Sequence, residues 1–192
     1  MTRLVMIMDQ TRCIGCHSCT VACRTWNDLP MDITYNPVVS EGVKGVFPNV
    51  HENWLPLICM HCENPPCVPC CPTGASMQEE DGTVWIDSAK CMGCKVCINA
   101  CPYSSRDSSH MVPRLEQYAR KCTFCKDERD VDPDFTPYCV KTCHQKARIF
   151  GDLDDPNSEV SKIINSVETV RLLEELGTDP QVYYIPNRGG QL

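Results

Sequence analysis

The stretch CIGCHSCTVAC, residues 13–23, contains four cysteines with the spacing C-x2-C-x2-C-x3-C. The stretch CMGCKVCINAC, residues 91–101, repeats that spacing. Such a loop winds around one face of an iron–sulfur cubane and supplies three thiolates, and the helix that follows carries the fourth cysteine to a second cluster. The repeated spacing therefore predicts a protein with several [4Fe–4S] clusters.

Two further cysteine groups complete the pattern. Group two has the spacing C-x2-C-x4-C-x3-C, and group four has a longer gap between its second and third cysteines. Because the fourth cysteine of each group serves a partner group, the groups work in pairs, and four groups predict four clusters. The predicted iron ligands are Cys13, Cys16, Cys19 and Cys23 in group one, Cys59, Cys62, Cys67 and Cys71 in group two, Cys91, Cys94, Cys97 and Cys101 in group three, and Cys122, Cys125, Cys139 and Cys143 in group four.

The residues around the cysteines fit the same interpretation. Pro72 and Pro102 directly follow the last cysteines of groups two and three, as the bacterial ferredoxin motif expects. Glycines lie inside the loops of groups one and three, where the backbone has to approach a bulky inorganic core closely. Cys70 is left over, and we expect it to pack as a small buried apolar residue, because Cys71 has the x3 spacing and the following proline. The alternative is that Cys70 serves as an alternate ligand.

The composition limits the possible functions. A net charge of −7 argues against nucleic acid as a partner. Seventeen cysteines in 192 residues leave a disulfide-rich secreted scaffold or a metal-binding protein. The apolar run Leu4–Met8 is too short for a signal peptide, and no stretch reaches the roughly 18 apolar residues of a membrane span. We therefore expect no export signal or membrane anchor in this chain, and an odd number of cysteines fits poorly with a complete set of disulfides.

Zinc is the main alternative metal. Zinc sites combine pairs of C-x2-C that lie a dozen or more residues apart, a spacing that group four resembles but groups one and three do not. A Rieske centre needs two histidine ligands on one iron, and Cys59 with His61 forms only half of such a motif. We therefore expect His17, His61 and His144 to lie beside the clusters or on the surface without binding metal.

Secondary structure is visible around the cysteine groups. Residues 3–9, RLVMIMD, read as a strand before group one, and residues 146–152, KARIFGD, read as a closing strand after group four. Residues 75–87 read as a hairpin with Asp81 and Gly82 at its turn. Groups two and three are close in sequence and form one unit, so groups one and four can pair only across it.

This order predicts an α+β fold made of two bacterial-ferredoxin-like [4Fe–4S] modules, one inserted in the other, with loop extensions and a C-terminal tail. The predicted boundaries are residues 1–50 and 105–152 for the outer module, 51–104 for the inserted module, and 153–192 for the tail.

The segments between and after the cysteine groups carry weaker signals. We expect Arg24–Ile58 and Tyr103–Lys121 to be loops, because they are rich in Pro, Asn, Ser and Gly. In the tail, Asp155 and Pro156 predict a helix start, residues 158–166 and 167–177 have a helical apolar period that stops at Gly177, and VYYIP is a short extended run. The tail either covers the surface of the modules or docks a larger subunit.

The chemistry available to such a protein is one-electron transfer. It contains no G-x-S-x-G, G-x-G-x-x-G or Walker motif, so we expect a subunit that transfers electrons and has no catalytic residues of its own. A basic residue precedes the first cysteine of three groups: Arg12, Lys90 and Lys121. These cations either stabilise a reduced cluster and raise its potential, or are solvated charges that only help solubility.

Four segments carry a resemblance to a known family: CIGCHSCTVACRTWNDLP, CMHCENPPC, KCMGCKVCINACPY, and KCTFC with PYCVKTC. Together they resemble the four-cluster iron–sulfur (B) subunit of molybdopterin oxidoreductases of the polysulfide, thiosulfate and dimethyl sulfoxide reductase type. The segments ARIFGDLDDP and IPNRGG look most similar to the polysulfide and thiosulfate branch. The resemblance covers nearly the whole chain.

The resemblance implies which cysteines share a cluster. A nitrate-reductase branch of the family has tryptophan at the second position of group three and loses an iron there, whereas this chain has Cys94. Four intact [4Fe–4S] clusters are therefore expected. The implied ligand sets are Cys13, Cys16, Cys19 and Cys143; Cys23, Cys122, Cys125 and Cys139; Cys59, Cys62, Cys67 and Cys101; and Cys71, Cys91, Cys94 and Cys97.

The resemblance also implies partners and a location. Such a subunit relays electrons between a quinone-reactive membrane subunit and a molybdenum or tungsten bis-molybdopterin catalytic subunit, in anaerobic respiration with a sulfur compound, sulfoxide or oxyanion. The expected location is a peripheral membrane complex, on the periplasmic face if a twin-arginine partner exports it and on the cytoplasmic face otherwise. The alternatives are an electron-transfer subunit of a hydrogenase or formate dehydrogenase, a free polyferredoxin, and a zinc or disulfide structural protein.

Overall fold

The chain forms short strands and short helices, and the cysteine groups lie mainly in the loops between them. The computed structural model describes residues 2–109, 111 and 117–187. The strands in this part of the chain are β1 (Leu4–Asp9), β2 (Val38–Val46), β3 (Asn49–Pro56), β4 (Ser76–Gln78), β5 (Val84–Ile86), β6 (Arg148–Asp152) and β7 (Val182–Ile185). The helices are α1 (Ser18–Trp26), α2 (Val96–Asn99), α3 (Lys126–Val131), α4 (Tyr138–Lys141) and α5 (Glu159–Ser166), with a 3-10 turn at Glu174–Leu176.

The helices are all short. The longest described one, α1, has nine residues, and among the residues covered by the structure no helix combines the length and apolar character needed to cross a bilayer. The last five residues of the chain, which include the end of the IPNRGG segment, lie outside the described residues.

The central sheet has the strand order β6–β1–β7. The two strands predicted on either side of the cysteine groups, β1 and β6, are both present and pair antiparallel, with Met8 opposite Arg148. Because β1 runs toward group one and β6 starts just after group four, the pairing brings these two groups to the same end of the sheet. Segments far apart in sequence therefore meet at one place.

The predicted extended run near the C-terminus is also confirmed, as β7, which pairs parallel to β1. The side chain of Tyr184 is fully buried, and its hydroxyl donates a hydrogen bond to the Pro56 carbonyl at 2.9 Å. Just before β7, Gln181 accepts from the Met6 N–H at 3.1 Å and donates its own N–H to the Met60 carbonyl at 2.8 Å. The segment at β7 thus joins the first strand to the loop of group two.

The predicted hairpin between groups two and three is present as β4 and β5, with Ser76 opposite Ile86. Gly82 has φ +82 in its turn, and the Gly82 N–H donates to the Glu79 carbonyl at 3.0 Å. A glycine suits this turn because a side chain resists positive φ.

The loop prediction for residues 24–58 is wrong over most of its length. Residues 38–56 form a second hairpin, in which β2 and β3 pair antiparallel with a register shift between Ser40 and Val43. Gly42, at φ +84, lies in that irregularity. Glycine and proline suggested a loop here, but the valines of the segment favour strands, and a glycine inside a strand often marks a bulge.

Two predictions for the tail also need correction. Helix α5 is confirmed, but it starts three residues later than predicted, because Ser158 caps it by accepting from the Ser161 N–H at 3.1 Å. The predicted helix over residues 167–177 is wrong: Val170 instead forms an antiparallel bridge with Tyr184, and only a 3-10 turn follows before Gly177. Pairing with the central sheet overrides the helical period of this segment.

Two apolar clusters cover the two faces of the sheet, because alternate residues of β1 point to opposite sides. On one face Met6, Met8 and Tyr184 pack with Phe124 and with cysteines of groups one, two and four. On the other, Val5 and Ile7 pack with Val160 of helix α5. The cysteine loops therefore rest on the first face, and α5 covers the second.

We predict that Tyr184→Phe destabilises the protein by about 1–3 kcal/mol, because it leaves the Pro56 carbonyl buried without its donor. The measurement is the urea midpoint of the iron-loaded protein at unchanged slope. Tyr183→Phe, on the other face of the same strand and half-buried, is the matched control and should change stability by less than about 0.5 kcal/mol. Equal effects of the two substitutions would contradict the prediction.

Candidate metal centres

All four cysteine groups share one backbone feature. The residue just before the second cysteine has a positive φ in every group: Gly15 at +66, His61 at +43, Gly93 at +71 and Phe124 at +54. A left-handed residue at this place turns a C-x2-C stretch tightly and lets its backbone approach a bound group. The four groups therefore have the same left-handed turn before their second cysteine, although only two of them have glycine there.

Three cavities are each lined by four cysteines, three from one group and one from its partner group. Their empty volumes, with their openings included, are about 390, 370 and 300 Å³. The cavities coincide with three of the four predicted ligand sets. They are named site A, lined by Cys13, Cys16, Cys19 and Cys143; site B, lined by Cys23, Cys122, Cys125 and Cys139; and site C, lined by Cys59, Cys62, Cys67 and Cys101.

The fourth predicted set, named site D, consists of Cys71, Cys91, Cys94 and Cys97. Cys97 is buried in a small apolar cluster against which Cys91 packs, whereas Cys94 is exposed and Cys71 is half-buried. The second cysteine of group one, Cys16, is likewise exposed. Sites A and D are thus the ones that have a cysteine open to solvent, while grouping Cys71 with the other three stays a prediction.

The neighbours Cys70 and Cys71 differ in their surroundings. Burial opposes ionisation of Cys71, but the backbone N–H groups of Ser76, Thr73 and Ala75 and the Thr73 hydroxyl outweigh it and lower the pKa to about 7. Burial raises the pKa of Cys70, which packs beside Cys97 and its apolar neighbours. The cage of donors around Cys71 suits a thiolate ligand, as the x3 spacing predicts.

The donor sets fit a multi-iron cluster. Nowhere in residues 2–109, 111 and 117–187 do three His, Cys, Asp or Glu side chains converge closely enough for a single metal ion. Instead, four cysteines line each of the three cavities, and all-cysteine ligation is what [4Fe–4S] clusters require. Burial raises the pKa of Cys23, Cys62 and Cys125 to about 12. Metal binding has to deprotonate these thiols, so loading releases protons.

Several sulfurs already accept hydrogen bonds. The Ala147 N–H donates to Cys143 Sγ at 3.2 Å, and the Phe124 N–H donates to Cys122 Sγ at 3.4 Å. Arg106 Nη2 donates to Cys67 Sγ at 2.8 Å. Hydrogen bonds to sulfur stabilise its negative charge and are one of the features that set cluster potentials.

Two buried arginines lack partners for some of their nitrogens. Arg106 Nε and Nη1 and Arg148 Nη1 are buried without a hydrogen-bond partner among the described residues. A buried guanidinium group is costly when it is unpaired, and both arginines line cysteine cavities, Arg106 at site C and Arg148 at site A. Acceptors inside the cavities, such as the sulfurs of a cluster, would satisfy these nitrogens.

The three basic residues singled out in the sequence have different surroundings. The side chains of Arg12 and Lys90 are 55% and 56% exposed and form ion pairs at 3.2 Å with Asp9 and Asp87. Lys121 is only 2% exposed. Burial lowers the pKa of Lys121, against the opposing attraction of the Cys59 and Cys122 sulfurs. Arg12 and Lys90 thus match the description of solvated charges, and Lys121 does not.

His61 has a structural role that the sequence did not suggest. It is fully buried, and its ring stacks on that of Phe124 with centroids 3.7 Å apart. Its Nδ1 accepts a hydrogen bond from the Val84 N–H at 3.1 Å, and burial lowers its pKa well below the usual value, so the ring is neutral. His17 and His144 are exposed. His61 and Phe124 each directly precede the second cysteine of their group, in groups two and four. This shared position, with an aromatic ring in both groups, is the feature of the sequence that could have predicted the stacking.

Comparison with known proteins gives consistent matches. Residues 50–153 match the model of a "4Fe-4S dicluster domain", and residues 10–26 match a "4Fe-4S binding domain". The selenate reductase B subunit of Mesobacillus selenatarsenatis is 41% identical, over 94% of this chain and 71% of its own length. The polysulfide reductase B polypeptide of Wolinella succinogenes is 40% identical, over 96% and 95%. The tetrathionate reductase B subunit of Salmonella typhimurium is 40% identical, over 95% and 72%.

The protein belongs to the family of iron–sulfur B subunits of the selenate, polysulfide and tetrathionate reductases. As an iron–sulfur B subunit it has ferredoxin-type domains of mixed helix and strand content, binds [4Fe–4S] clusters and transfers electrons. The resemblance read from the cysteine motifs is therefore confirmed. The sequence motifs did not identify Arg106 and Arg148, although both lie five residues after the last cysteine of their group.

We predict that Gly15→Ala lowers the iron content by about four atoms per chain, one cluster. A Cβ at Gly15 would clash with the Trp54 indole and displace the loop that lines site A. Gly177→Ala is the matched control, because Gly177 has nearly the same φ, +65 against +66, but open space around its Cβ position. Both alanines are strained by about 1 kcal/mol, so equal iron contents would show that the Trp54 contact does not matter.

Proposed function

We propose that this chain is the electron-transfer subunit of a respiratory reductase, with four [4Fe–4S] clusters at sites A to D. It would relay electrons between a quinone-reactive membrane subunit and a molybdopterin catalytic subunit that acts on a sulfur compound, sulfoxide or oxyanion. The observation that carries the proposal is the set of cavities at sites A, B and C, each lined by cysteines from two sequence groups. Each cluster, once bound, would take up and release one electron.

The nested arrangement of two modules is part of this proposal. Strands β1 and β6 pair and enclose groups two and three in sequence, as expected for an outer module of residues 1–50 and 105–152 around an inserted module of residues 51–104. Sites A and B then belong to the outer module, and sites C and D to the inserted one. Strand β7 supports treating part of the tail, residues 153–192, as a component of the outer module's sheet.

The relatives support the proposed partners. The three proteins named above are the B components of selenate, polysulfide and tetrathionate reductases, so a separate catalytic subunit is expected here as well. The chain would be a peripheral part of the membrane complex. The exposed cysteines, Cys16 at site A and Cys94 at site D, would make these two sites the ones closest to partner subunits. The cysteines of sites B and C are all buried or half-buried, so these two sites would form the middle of the relay.

Metal analysis of the native complex, purified without oxygen, tests this function. We expect about 16 iron atoms from this chain, four per cluster, together with molybdenum or tungsten from the partner. Nickel in place of molybdenum would indicate a hydrogenase complex. Iron in an unaccompanied chain would indicate a free polyferredoxin, and zinc without iron would contradict the proposal.

We predict that Cys71→Ser removes one cluster, about four iron atoms, whereas Cys70→Ser leaves the iron content unchanged. The reason is that the donors around Cys71 favour a thiolate, and Cys70 packs among apolar side chains. The two substitutions replace the same atom at adjacent positions, so each controls for the other. Iron loss from Cys70→Ser alone would reverse the ligand assignment at site D.

A further inference from the structure

The buried cations of this protein are few and all lie beside cysteine sites. Within the part of the chain that the structure describes, the buried lysine and arginine residues are Arg106, Lys121 and Arg148, with 3%, 2% and 3% of their surface exposed. The chain as a whole carries 18 lysine and arginine residues. A cation is rarely buried unless an anion pairs with it, so the surroundings of these three require an explanation.

Arg148 lies between sites A and B. It lines the cavity of site A, and its Nη2 donates to Asn36 Oδ1 at 2.5 Å. Burial opposes its charge, but the attraction of Cys139 of site B and Cys19 of site A outweighs it and raises the pKa of the guanidinium. Asn36 in turn lines the cavity of site B. One cation thus contacts or faces ligands of two different sites.

Lys121 lies between sites B and C in the same way. Its Nζ donates to the carbonyls of Val84 and Cys122. Val84 lines the cavity of site C, and Cys122 lines that of site B. The sulfurs that attract its charge are Cys59 and Cys67 of site C and Cys122 of site B. Lys121 therefore has one site on each side.

Arg106 lies between sites C and D. It lines the cavity of site C, and its Nη2 donates to Cys67 Sγ at 2.8 Å. Burial opposes its charge, but Cys67 and Cys59 of site C and Cys97 of site D attract it and raise its pKa. Cys67 and Cys97 pack in one buried cluster, so the sulfur that accepts from Arg106 lies beside site D. The order along the molecule is then site A, Arg148, site B, Lys121, site C, Arg106, site D.

We propose that these three buried cations act as electrostatic links, each holding the potentials of its two flanking clusters up, so that an electron can occupy any cluster of the row. This proposal rests on the proposed function, because it assumes a cluster at each of sites A to D. The three side chains would act only through their positive charge, which stabilises the reduced form of the neighbouring clusters. None of them would itself accept or donate an electron.

The physical reason is the charge of neighbouring clusters. A [4Fe–4S] centre with four thiolates is anionic, and each added electron makes it more so, which disfavours reduction of a cluster beside a reduced one. A cation between two such centres stabilises the electron on either of them. The interaction is strong in a buried setting because water and salt screen it poorly there. Arg12 and Lys90 cannot act in this way to the same extent, since they are exposed and paired with Asp9 and Asp87.

The spacing in the sequence supports a common role for the two arginines. Arg106 follows the last cysteine of group three, Cys101, by five residues, and Arg148 follows the last cysteine of group four, Cys143, by five residues. Both also have guanidinium nitrogens that are buried without a partner among the residues the structure describes. The sulfides of clusters on either side would provide the missing acceptors.

The test uses the native complex, purified without oxygen, carrying Arg148→Met, Lys121→Met or Arg106→Met. Two readouts are needed: the iron content, and a redox titration of the clusters followed by electron paramagnetic resonance. Each substitution removes a buried charge and keeps a long side chain. Arg12→Met and Lys90→Met are the matched controls, because they remove the same charge next to a predicted ligand cysteine but from an exposed position.

The expected result is a distinctive pattern of shifts. Each buried variant should lower the ratio of reduced to oxidised form at least tenfold, at a fixed potential, for two clusters, which is a midpoint shift of about 59 mV for a one-electron couple. The Arg148 and Lys121 variants should share one shifted cluster, the Lys121 and Arg106 variants another, and the Arg148 and Arg106 variants none. Unchanged midpoints, or equal shifts in the exposed controls, would overturn the proposal.

A methionine variant that loses iron has no cluster whose midpoint can be measured. For that case the test includes variants that keep the positive charge: Arg148→Lys, Arg106→Lys and Lys121→Arg. If the charge is what matters, they keep both the iron and nearly wild-type midpoints. Loss of iron in these variants too would mean that the shape of the side chain matters, and would overturn the proposal. A wild-type complex without about 16 iron atoms per chain would instead disprove the proposed function, so the two failures are distinguishable.

Discussion

The antiparallel pairing of β1 with β6 is the contact on which the rest of the structure depends. It joins residues far apart in the sequence, with Leu4 opposite Asp152 and Met8 opposite Arg148. It brings group one and group four to the same end of the sheet, where sites A and B lie, and each of these sites takes three cysteines from one of the two groups and one from the other. The same pairing places Arg148 beside site A, because Arg148 is the first residue of β6.

The charges buried in the protein are mainly positive, whereas its surface is mainly negative. The whole chain is acidic, with a net charge of −7, yet each charged lysine or arginine that is buried in the described residues faces cysteine sulfur. The positive interior suits anionic clusters, and this division explains why the exposed Arg12 and Lys90 resemble Lys121 in sequence but not in surroundings.

Local sequence patterns predicted the parts of the fold that local chemistry controls. The spacing of the cysteines predicted which residues bind iron and that the groups work in pairs, and three of the four ligand sets implied by the family resemblance coincide with cavities. The apolar runs and the Asp81-Gly82 turn predicted β1, β6 and the β4–β5 hairpin. Long-range pairing accounts for the errors. Val170 lies in a segment with a helical apolar period, but it forms a β-bridge with Tyr184. The glycines of residues 38–56 suggested a loop, whereas the segment forms a hairpin with a bulge. Arg106 and Arg148 share a five-residue spacing from the last cysteine of their groups, but this spacing alone does not show that their charges are buried.

The parallel strand β7 has a consequence for biosynthesis. Both neighbours of β1 in the sheet come from the second half of the chain, and β7 ends at Ile185. Strand β1 therefore leaves the ribosome with both edges unpaired and waits until β6 and then β7 have been translated. Cys139 and Cys143, which complete sites B and A, also arrive late. By the proposed assignment, sites A and B would be complete only after these residues have emerged. The thiols of Cys13, Cys16 and Cys19 would until then be free, and free thiolates are open to oxidation.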